Sequence, residues 1–538
     1  MKRWSVLIIL AVSQFVMVLD STVMNVSIST VAADLDTTIS GMQAAITLYA
    51  LTMAAFMLTG GKLGDKWGRS RAFRIGSIVY GVGSLTTALS PNLTVLLLGW
   101  SLVEGLGAVL VIPAIAALAA VNYVGKERIG AFAILGAVTG LAAAVGPLIG
   151  GLVTTYFSWR YVFVGETIIM IGVLLVAGRI KDVDPNPSLK IDVRSVLLSA
   201  GGMAFLVFGV LQSKTWGWFI PLDPPEIGDT TIAPLGISPT AYFILLGVIL
   251  LSSFLKRQGT LEKAGRDPLL KVSLLSIPAL RSGLSGFTAQ YFAIAALFFV
   301  VPVYLQTILS YDALETGLRI LPLSAGLVVC SIIGSRLSVR RAARWISRLG
   351  QLTMAAGLLI VIAAIEPTLS GWLFGIGMFV IGAGFGLLAS QLGNVNMSAV
   401  EEGDSSEVGG LQGTFQNLGS AFGTAVVGSI FILLLTSGFA ASVERSTTLP
   451  DDVKAQVAEA TAAGAPIISE AQVVQAVEDA GGSPEAAQEI GTTYTEVQVE
   501  SLKRSLFWVF AFMVVSVALS RNLPRTVKPA EPASASTT

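Results

Sequence analysis

The sequence predicts an all-α protein that crosses a membrane many times, and three observations carry this prediction. Hydrophobic residues make up 53% of the 538 residues and charged residues only 13%, about half of the ~25% that is usual in soluble proteins. Apolar runs of about 20 residues, long enough for a membrane helix, recur along most of the chain. Basic residues collect in every second loop. A β-barrel would instead show short segments of alternating hydrophobicity.

Fourteen apolar runs are predicted to be membrane-spanning helices, numbered here as spans 1 to 14. They lie at residues of about 5–28, 42–61, 72–90, 93–120, 129–152, 160–179, 194–213, 238–255, 283–307, 316–335, 347–365, 371–398, 409–436 and 505–521. Two basic turns, GKLGDKWGRSR after span 2 and GSRLSVRRAAR after span 10, form a weak repeat. The repeat predicts two six-helix bundles, spans 1–6 and 9–14, with spans 7 and 8 inserted between them.

The loop charges predict how the chain sits in the membrane. With the N-terminus inside and the loops alternating, 27 of the 34 lysines and arginines fall on the inside. Short loops rich in lysine and arginine stay in the cytoplasm. We therefore expect a multi-pass protein of the cytoplasmic (inner or plasma) membrane with both termini cytoplasmic. The acidic loop EEGDSSE, at 401–407, is the exception on the inside.

The chain is expected to divide into six segments. Residues 1–180 form the first bundle, 181–260 the two inserted helices with their linkers, and 261–437 the first five helices of the second bundle. Residues 438–503 form an extracytoplasmic loop, 504–521 the last helix and 522–538 a disordered cytoplasmic tail. The stretches 451–462 and 469–480 of the loop predict short helices. The loop is a solvated cap, a vestibule that gathers cations or a docking site for a partner.

Composition argues against several functional classes. The formal net charge is zero, so no nucleic-acid-binding surface is expected. The chain has no histidine, the commonest metal ligand, and its one cysteine, Cys330, excludes an intrachain disulfide. No HExxH motif occurs, and neither Gly-Lys pair is followed by serine or threonine, so there is no P-loop. We therefore expect no enzyme, no metal site and no cofactor.

The turn between spans 2 and 3 has a distinctive spacing of glycines and charges. Glycines allow close helix approach and a tight turn, and an aspartate there can cap the next helix or pair with a base. The spacing resembles the loop 2–3 signature of the major facilitator superfamily. The resemblance implies a conformational latch that holds the outward-facing state; the second copy has Ser338 in place of the acid. The latch residues are Gly61, Gly64, Asp65, Gly68, Arg69 and Arg71.

Span 5 carries glycines four residues apart on one helix face, within GAVTGLAAAVGPLIGG. Such glycines let neighbouring backbones touch, and a proline disrupts the helix locally. Tight packing alone would explain them. The ending of the stretch also resembles the antiporter signature of the superfamily, which is found in proton-coupled exporters and implies export. The residues of this antiporter helix are Gly136, Gly140, Gly146, Pro147, Gly150 and Gly151.

Span 1 contains an acid, Asp20, in an otherwise apolar run. An aspartate at the membrane centre costs ~2.5–3.5 kcal/mol on insertion scales, so Asp20 is expected to face an internal cavity. Burial favours the neutral form of a carboxyl group, which makes Asp20 a candidate proton carrier; a structural polar contact is the alternative. LDSTVMNVSI, residues 19–28, resembles the first-helix motif of the 14-helix drug:proton antiporters of this superfamily. That resemblance implies proton coupling at Asp20.

Span 4 departs from this subfamily. The subfamily usually has Arg-x-x-Gln-Gly, whereas this chain has Ser101-Leu-Val-Glu104-Gly. A cationic partner for Asp20 is therefore missing, and a second carboxyl group is present. Glu104 is either a second proton-coupling site or a hydrogen-bonded neutral acid with a packing role. Glu166 in span 6 is a third embedded acid with a weaker case, and Ser-Trp-Arg at 158–160 matches the subfamily.

Amides and aromatic side chains in the spans are candidates for a substrate cavity. Such groups in an apolar cleft suit amphipathic organic molecules, although interhelical hydrogen bonds would explain many of them. The candidates are Asn25, Gln43, Tyr49, Gln290, Tyr291, Phe292, Gln306, Gln391, Asn394, Asn396, Gln412, Gln416 and Asn417.

Together the resemblances imply a secondary antiporter that works by alternating access. It would export amphipathic, cationic or drug-like organic molecules in exchange for protons, as in multidrug efflux and antibiotic resistance, with the proton gradient as driving force. A dedicated exporter of one native metabolite, peptide or envelope lipid is the alternative, and a membrane sensor without transport is a third reading. The expected partners are a small organic substrate, protons and the lipid bilayer, and the chain is expected to be a monomer.

Overall fold

The computed structural model describes residues 4–524, with short gaps. The gaps are residues 38, 181, 183–184, 228–229, 368, 370, 446–453, 456, 458–464, 466 and 480–481. Most of the short helix predicted at 451–462 and the tail from residue 525 onwards therefore lie outside the described residues.

Helices occupy all six spans that were predicted for the first bundle. Gly68 separates the second and third of them with φ +93°, in the left-handed region that favours glycine. The elements are α1 (Trp4–Val26), a short α2 (Ile28–Asp34), α3 (Ile39–Trp67), α4 (Arg69–Ala88), α5 (Leu93–Leu96), a π-helical segment (Leu97–Glu104), α6 (Gly105–Asn122), α7 (Gly125–Tyr156) and α8 (Arg160–Val176).

The inserted helices and the second bundle follow. Side chains cap their starts: Asp192 accepts from the Ser195 N–H at 3.0 Å, and Asp312 forms a capping box with Glu315. The helices are α9 (Val193–Trp216), α10 (Pro239–Lys263), α11 (Pro278–Val303) with a π-helical turn (Tyr304–Ile308), α12 (Ala313–Leu337), α13 (Ala343–Ala364), α14 (Gly371–Ser398), α15 (Ser405–Arg445), α16 (Glu470–Asp479) and α17 (Pro484–Leu519). Two strands, β1 (Glu226–Ile227) and β2 (Thr230–Thr231), pair antiparallel between α9 and α10.

Twelve of the described helical stretches are long and apolar enough to cross a membrane. The other two predicted spans are also helical, but α8 has only 17 residues and α4 begins with the arginine-rich RSRAFR. The prediction of an all-helical membrane protein is confirmed, and the described helices are consistent with 14 spans. The predicted domain boundaries stay predictions.

The first inserted helix packs across the seam between the two bundles. Met203, Val207 and Val210 lie on one face of α9, since they are three and four residues apart. This face packs against Ala54 of α3 and against Ala425 of α15, one helix from each bundle. The inserted pair therefore covers one side of the seam.

The described part of the long loop folds onto the second bundle. Val473 of α16 and Ile490 of α17 are buried together, and the rings of Phe439 and Tyr494 meet edge to face at 5.2 Å. The last helix begins at Pro484, well before its predicted start at 504, because this apolar seam continues beyond the membrane segment. The predicted helix at 469–480 is present as α16.

The beginning of the predicted tail is packed rather than disordered. Leu523 is buried in the core of the second bundle, and the Pro524 carbonyl accepts a hydrogen bond from the Arg344 N–H at 3.4 Å. An apolar side chain with a place in the core gains enough burial to be ordered, which the polar composition of the tail as a whole concealed.

An ionic clamp joins three elements at the end of the bundle opposite the α3–α4 turn. We call this the far end, and the end with the α3–α4 turn the basic end. Trp159 Nε1 donates to Asp34 Oδ2 at 3.0 Å, and the Arg160 guanidinium pairs with the same carboxylate and donates to the Ser90 carbonyl at 2.8 Å. The hydrogen bond from Arg160 holds the pKa of Asp34 below its usual value, aided by the bond from Trp159 and opposed by partial burial.

This clamp predicts an acid-sensitive contribution to stability. Because the folded-state pKa of Asp34 lies below the unfolded value of ~3.9, the carboxylate stabilises the fold above that value and stops doing so as pH falls through the folded pKa. We expect Asp34→Asn to lower the melting temperature in detergent slightly at neutral pH, since exposed pairs contribute about 0–1 kcal/mol. The difference in melting temperature between this variant and wild type should disappear in acid. Asp36→Asn, at an exposed position, is the control and should melt at the wild-type temperature at both pH values. A gap that widens in acid would contradict this role.

Candidate functional site

Three acidic side chains meet inside the first bundle. Asp20 of α1, Glu104 at the end of the π-helical segment and Glu166 of α8 are 0%, 0% and 1% exposed. One carboxylate oxygen from each lies within 4.8 Å of the other two. We call these three residues the acid cluster. The sequence singled out Asp20 and Glu104 and gave Glu166 a weaker case, whereas the structure places all three together.

Hydrogen-bond donors reach two of the three acids. Trp100 Nε1 donates to Asp20 Oδ1 at 2.8 Å, and the Ser84 hydroxyl donates to Glu166 Oε2 at 3.0 Å. Neither oxygen of Glu104 has a hydrogen-bond partner, and Asp20 Oδ2 and Glu166 Oε1 also lack one. Within the described part of the chain, the cluster therefore has four buried oxygens without a hydrogen-bond donor.

No cation compensates the cluster among the described residues. The lysines and arginines that form ion pairs among these residues all pair with acids outside the cluster. At the position where the resembling subfamily has arginine, Ser101 donates to the Ala45 carbonyl at 2.8 Å. Two carboxylates 4.8 Å apart repel by about 3.5 kcal/mol at an effective dielectric constant of ~20. Three full negative charges so close together are therefore strongly disfavoured.

Close backbone packing fixes the position of Glu104. Gly83 of α4 lies against it, and a Cβ at Gly83 would be 2.5 Å from the Glu104 backbone nitrogen. Glu104 also ends a π-helical segment, a geometry that is frequent at functional sites because it redirects side chains. The aromatic ring of Tyr49 stacks on Trp100 with centroids 4.9 Å apart, which closes the cluster on one side.

A second feature is a small cavity between the two bundles. Its volume is about 90 Å³, and Gln290, Tyr291, Gln412 and Gln416 of the predicted residues line it. No member of the acid cluster lines it. Its walls also include side chains that were not predicted from the sequence. One of them is Gln14, an amide in an apolar span, which the search for amides in the spans could have found. The other missed polar and aromatic residues are Thr139, Phe132, Phe287 and Phe385.

The remaining cavity candidates lie elsewhere. Gln391 donates to the Gly334 carbonyl at 3.2 Å, and Asn417 donates to a carbonyl of its own helix at 3.0 Å. Asn394 accepts from Arg128 Nε at 3.2 Å. These three amides make the ordinary helix–helix or intrahelical bonds that were the alternative explanation.

Three further candidates for the substrate cavity also lie away from it. Gln306 is exposed on the π-helical turn, Phe292 packs in the core of the second bundle, and Asn396 is buried without a partner for its side-chain atoms. The side chains of Asn25, Gln43 and Pro147 lie outside the described residues.

The predicted latch lies at the basic end, where the two bundles touch. Arg69 Nε donates to Ser406 Oγ of the opposite bundle at 2.7 Å, and an Asp65 oxygen lies 3.6 Å from the Arg69 guanidinium. Gly61 lies against Ser406, because a Cβ there would be 2.6 Å from the Ser406 carbonyl oxygen. Arg71 is exposed.

Two latch glycines complete the turn, and each has a different surrounding. A Cβ at Gly64 would lie 3.7 Å from Ser406 Oγ, which is ordinary contact. A Cβ at Gly68 would be 3.2 Å from a carboxylate oxygen of Asp182, the same oxygen that accepts from the Ser70 N–H at 2.6 Å. Gly64 therefore leaves ordinary clearance at the bundle contact, whereas Gly68 makes room for a cap on α4.

A buried ion pair between the bundles was not predicted. Lys62 Nζ of α3 lies 2.6 Å from Glu407 Oε1 of α15, and the two side chains are only 6% and 3% exposed. The other Glu407 oxygen accepts from the Lys271 N–H at 3.0 Å. Glu407 belongs to the acidic loop at 401–407, the exception among the basic loops expected on the inside. That exception is the feature of the sequence that could have pointed to an ion pair here.

The glycines of α7 face two different neighbours. Gly136 lies against Ala389 of α14, and Gly140 against Leu327 of α12, both in the second bundle. Gly146 and Gly150 lie against Thr22 and Val23 of α1, two residues of the stretch that contains Asp20. Gly151 is buried. Gly136 and Gly140 thus lie against the opposite bundle, and Gly146 and Gly150 against the acid-bearing helix.

This arrangement predicts the effect of adding a methyl group to α7. A Cβ at Gly136 would be 2.6 Å from the Ala389 Cβ, so we expect Gly136→Ala to push the bundles apart near the cavity. In a Cys330→Ala background, a cysteine at Thr139 should then react faster with a water-soluble maleimide. Gly172→Ala is the matched control, because a Cβ at Gly172 meets nothing within 4 Å. Equal labelling rates in both variants would contradict the close contact.

Known proteins resemble this chain over most of its length. The family model described as Major Facilitator Superfamily matches residues 10–424. A probable actinorhodin transporter of Streptomyces coelicolor is 26% identical over an alignment that covers 97% of this chain and 92% of that protein. The puromycin resistance protein pur8 of Streptomyces alboniger is 29% identical, over 80% of this chain and 82% of its own length.

The fold agrees with these matches. The proton:xylose symporter XylE superposes with a TM-score of 0.54 over 92% of this chain and 94% of that chain, at 11% identity. The similarity shows a shared helical architecture. The family model covers well over half of the residues, and its extent includes the acid cluster, the predicted latch residues and α7. The chain belongs to the major facilitator superfamily.

Proposed function

We propose that this protein is a secondary antiporter that exports amphipathic organic molecules in exchange for protons. The observation that carries the proposal is the acid cluster: three wholly buried carboxyl groups, without a compensating cation among the described residues, in a membrane bundle. Ionisable groups inside a membrane are costly and usually functional. A group that is neutral with a proton and negative without it can couple proton movement to a conformational change. Asp20 and Glu104 are the proposed coupling residues.

The proposed cargo follows from the cavity and from the relatives. Its amides and aromatic rings suit a molecule with both apolar and hydrogen-bonding parts. Two relatives are named for puromycin resistance and for transport of actinorhodin. The cavity of about 90 Å³ is smaller than the ~300–1,000 Å³ of ordinary ligand pockets, so cargo enters only when the bundles separate.

Coupling between proton and cargo is indirect in this conformation. The acid cluster does not line the cavity, but α1 carries both Gln14 of the cavity wall and Asp20 of the cluster. The antiporter helix touches α1 at Thr22 and Val23. A change in the charge of the cluster therefore reaches the cavity through movement of α1 and α7.

The latch is proposed to hold the basic end closed. Arg69 and Asp65 act with the buried pair of Lys62 and Glu407, and separation of the bundles breaks these contacts. No cofactor takes part, and the proton gradient supplies the driving force. A dedicated exporter of one native product is the second candidate, supported by the actinorhodin transporter that covers 97% of this chain.

The basic end is proposed to face the cytoplasm and the α16–α17 hairpin to face outside. In a Cys330→Ala background, a cysteine at exposed Glu478 should react with a membrane-impermeant maleimide in intact cells, and one at exposed Arg71 only after the cells are opened. The reverse pattern would overturn the orientation.

Inverted membrane vesicles test the function directly. Vesicles that contain the protein and are acidified inside should accumulate ethidium and puromycin, and a protonophore should release both. Empty vesicles are the control. Accumulation of puromycin alone would favour the dedicated exporter, and accumulation of neither, with protein present in the membrane, would contradict drug export.

A further inference from the structure

We propose that Glu166 is a third proton-binding group and that Glu104 relays a proton between Asp20 and Glu166. The inference rests on the proposed function, in that the protons concerned are those exchanged for cargo. The proposed function has two coupling residues, Asp20 and Glu104. The inference adds Glu166 and an order in which protons pass among the three carboxyl groups.

The hydrogen bonds give the three acids different roles. Asp20 receives the Trp100 indole N–H, and Glu166 receives the hydroxyls of Ser84 and Tyr80 at 3.0 and 3.3 Å, so donors stabilise negative charge on both. Glu104 is fully buried and receives none. A buried carboxyl group without a donor or a cation is stable only with its own proton. Glu104 is therefore the acid that carries the proton.

The unpartnered oxygens provide the acceptors. Asp20 Oδ2 and Glu166 Oε1 are buried and have no donor, and each acid of the cluster has an oxygen within 4.8 Å of the others. The transfer requires a side-chain rotation that brings the Glu104 O–H to hydrogen-bond distance of one of these oxygens. The O–H bond of Glu104 then breaks, and an O–H bond forms at that oxygen. The negative charge of the acceptor moves to Glu104. Once the other acid has been protonated from water, Glu104 takes the next proton from it. Charge and proton number in the cluster are unchanged by each transfer.

Other charged groups do not take over this role. Among the described residues, the titratable groups that face the cluster are Tyr49 of α3 and Tyr80 of α4, and both are neutral phenols. The helices packed around the cluster carry their remaining charges near their ends: α3 in its last turns, α4 and α7 in their first turns, and α8 at its first residue, Arg160. The cluster is thus isolated within the apolar middle of the bundle.

The test counts titrating buried carboxyl groups without any cargo. The purified full-length protein is reconstituted, and infrared difference spectra are recorded between low and high pH in the carbonyl region of protonated acids in apolar surroundings. We expect Glu166→Gln to remove the share of one carboxyl group out of three from this band, although glutamine still accepts the hydrogen bonds of Ser84 and Tyr80. Glu166→Asp should restore the share.

Glu478→Gln, at an exposed position of α16, is the control and should leave the band unchanged. A Glu166→Gln spectrum identical to wild type would show a structural acid that never titrates, and would overturn the relay. Loss of the band at constant pH when Mg²⁺ or Na⁺ is added would assign the cluster to a metal ion and also overturn it. If the band behaves as expected but wild-type vesicles fail to accumulate drug, the relay stands and the export function falls.

Discussion

Asp20→Asn protein in liposomes is expected to lose pH-driven accumulation of ethidium and puromycin completely. Asparagine has nearly the same shape, and its oxygen can still accept the hydrogen bond that Trp100 Nε1 makes to Asp20 Oδ1 at 2.8 Å. The variant should therefore fold and insert normally. It cannot bind and release a proton, so a pH difference gives it no energy to move cargo uphill.

The controls for this variant separate folding from coupling. The melting temperature in detergent should stay close to that of wild type, and downhill movement of the drugs should persist. Asp223→Asn, at an exposed position in the loop between α9 and α10, should accumulate drug as wild type does. An Asp20→Asn protein that concentrates either drug at the wild-type level would place the coupling residue elsewhere.

Glu407→Gln is expected to open the basic end of the bundle. It leaves the Lys62 ammonium buried, with a side chain only 6% exposed, opposite a neutral amide. Breaking a buried ion pair by removing one partner costs about 3–5 kcal/mol, which corresponds to a shift of more than ~100-fold in the equilibrium between closed and open conformations. Spin labels at Arg71 in the first bundle and Ala399 in the second should report a longer distance between the bundles.

Two further variants make the interpretation specific. Asp404→Asn breaks the pair of Lys271 and Asp404, which is more exposed and lies within the second bundle, so the distance should not change. The double variant Lys62→Met with Glu407→Gln removes both buried charges, and it should return most of the closed population. An unchanged distance in Glu407→Gln would show that the buried pair does not hold the bundles together.

Hydropathy and loop charge anticipated the helical architecture because both signals are local. Each predicted span coincides with a helix, and α8 and α4 differ from the rest only in length and in their arginines. The start of the last helix could not be predicted from hydropathy and loop charge. The α17 helix already begins at Pro484 because Ile490 and Tyr494 pack against neighbouring elements, and such contacts have no hydropathy signature.

The site was only partly visible in the sequence, because its members come from distant parts of the chain. Asp20 and Glu104 stood out as acids in apolar runs, but nothing in their spacing shows that Glu166 lies beside them. The pairing of Lys62 with Glu407 likewise joins residues 345 positions apart. The sequence shows only that Glu407 is an acid among loops that are otherwise basic. The structure is needed to show that its partner is Lys62.

Exchange itself is tested most directly by following protons while cargo moves. Liposomes that contain the purified protein and a pH-sensitive dye are loaded with puromycin and diluted into puromycin-free buffer at the same pH. Outward flow of the drug is predicted to drive protons inward, so the lumen should acidify, and Asp20→Asn liposomes should show no change. Drug efflux from wild-type liposomes without acidification would contradict proton antiport.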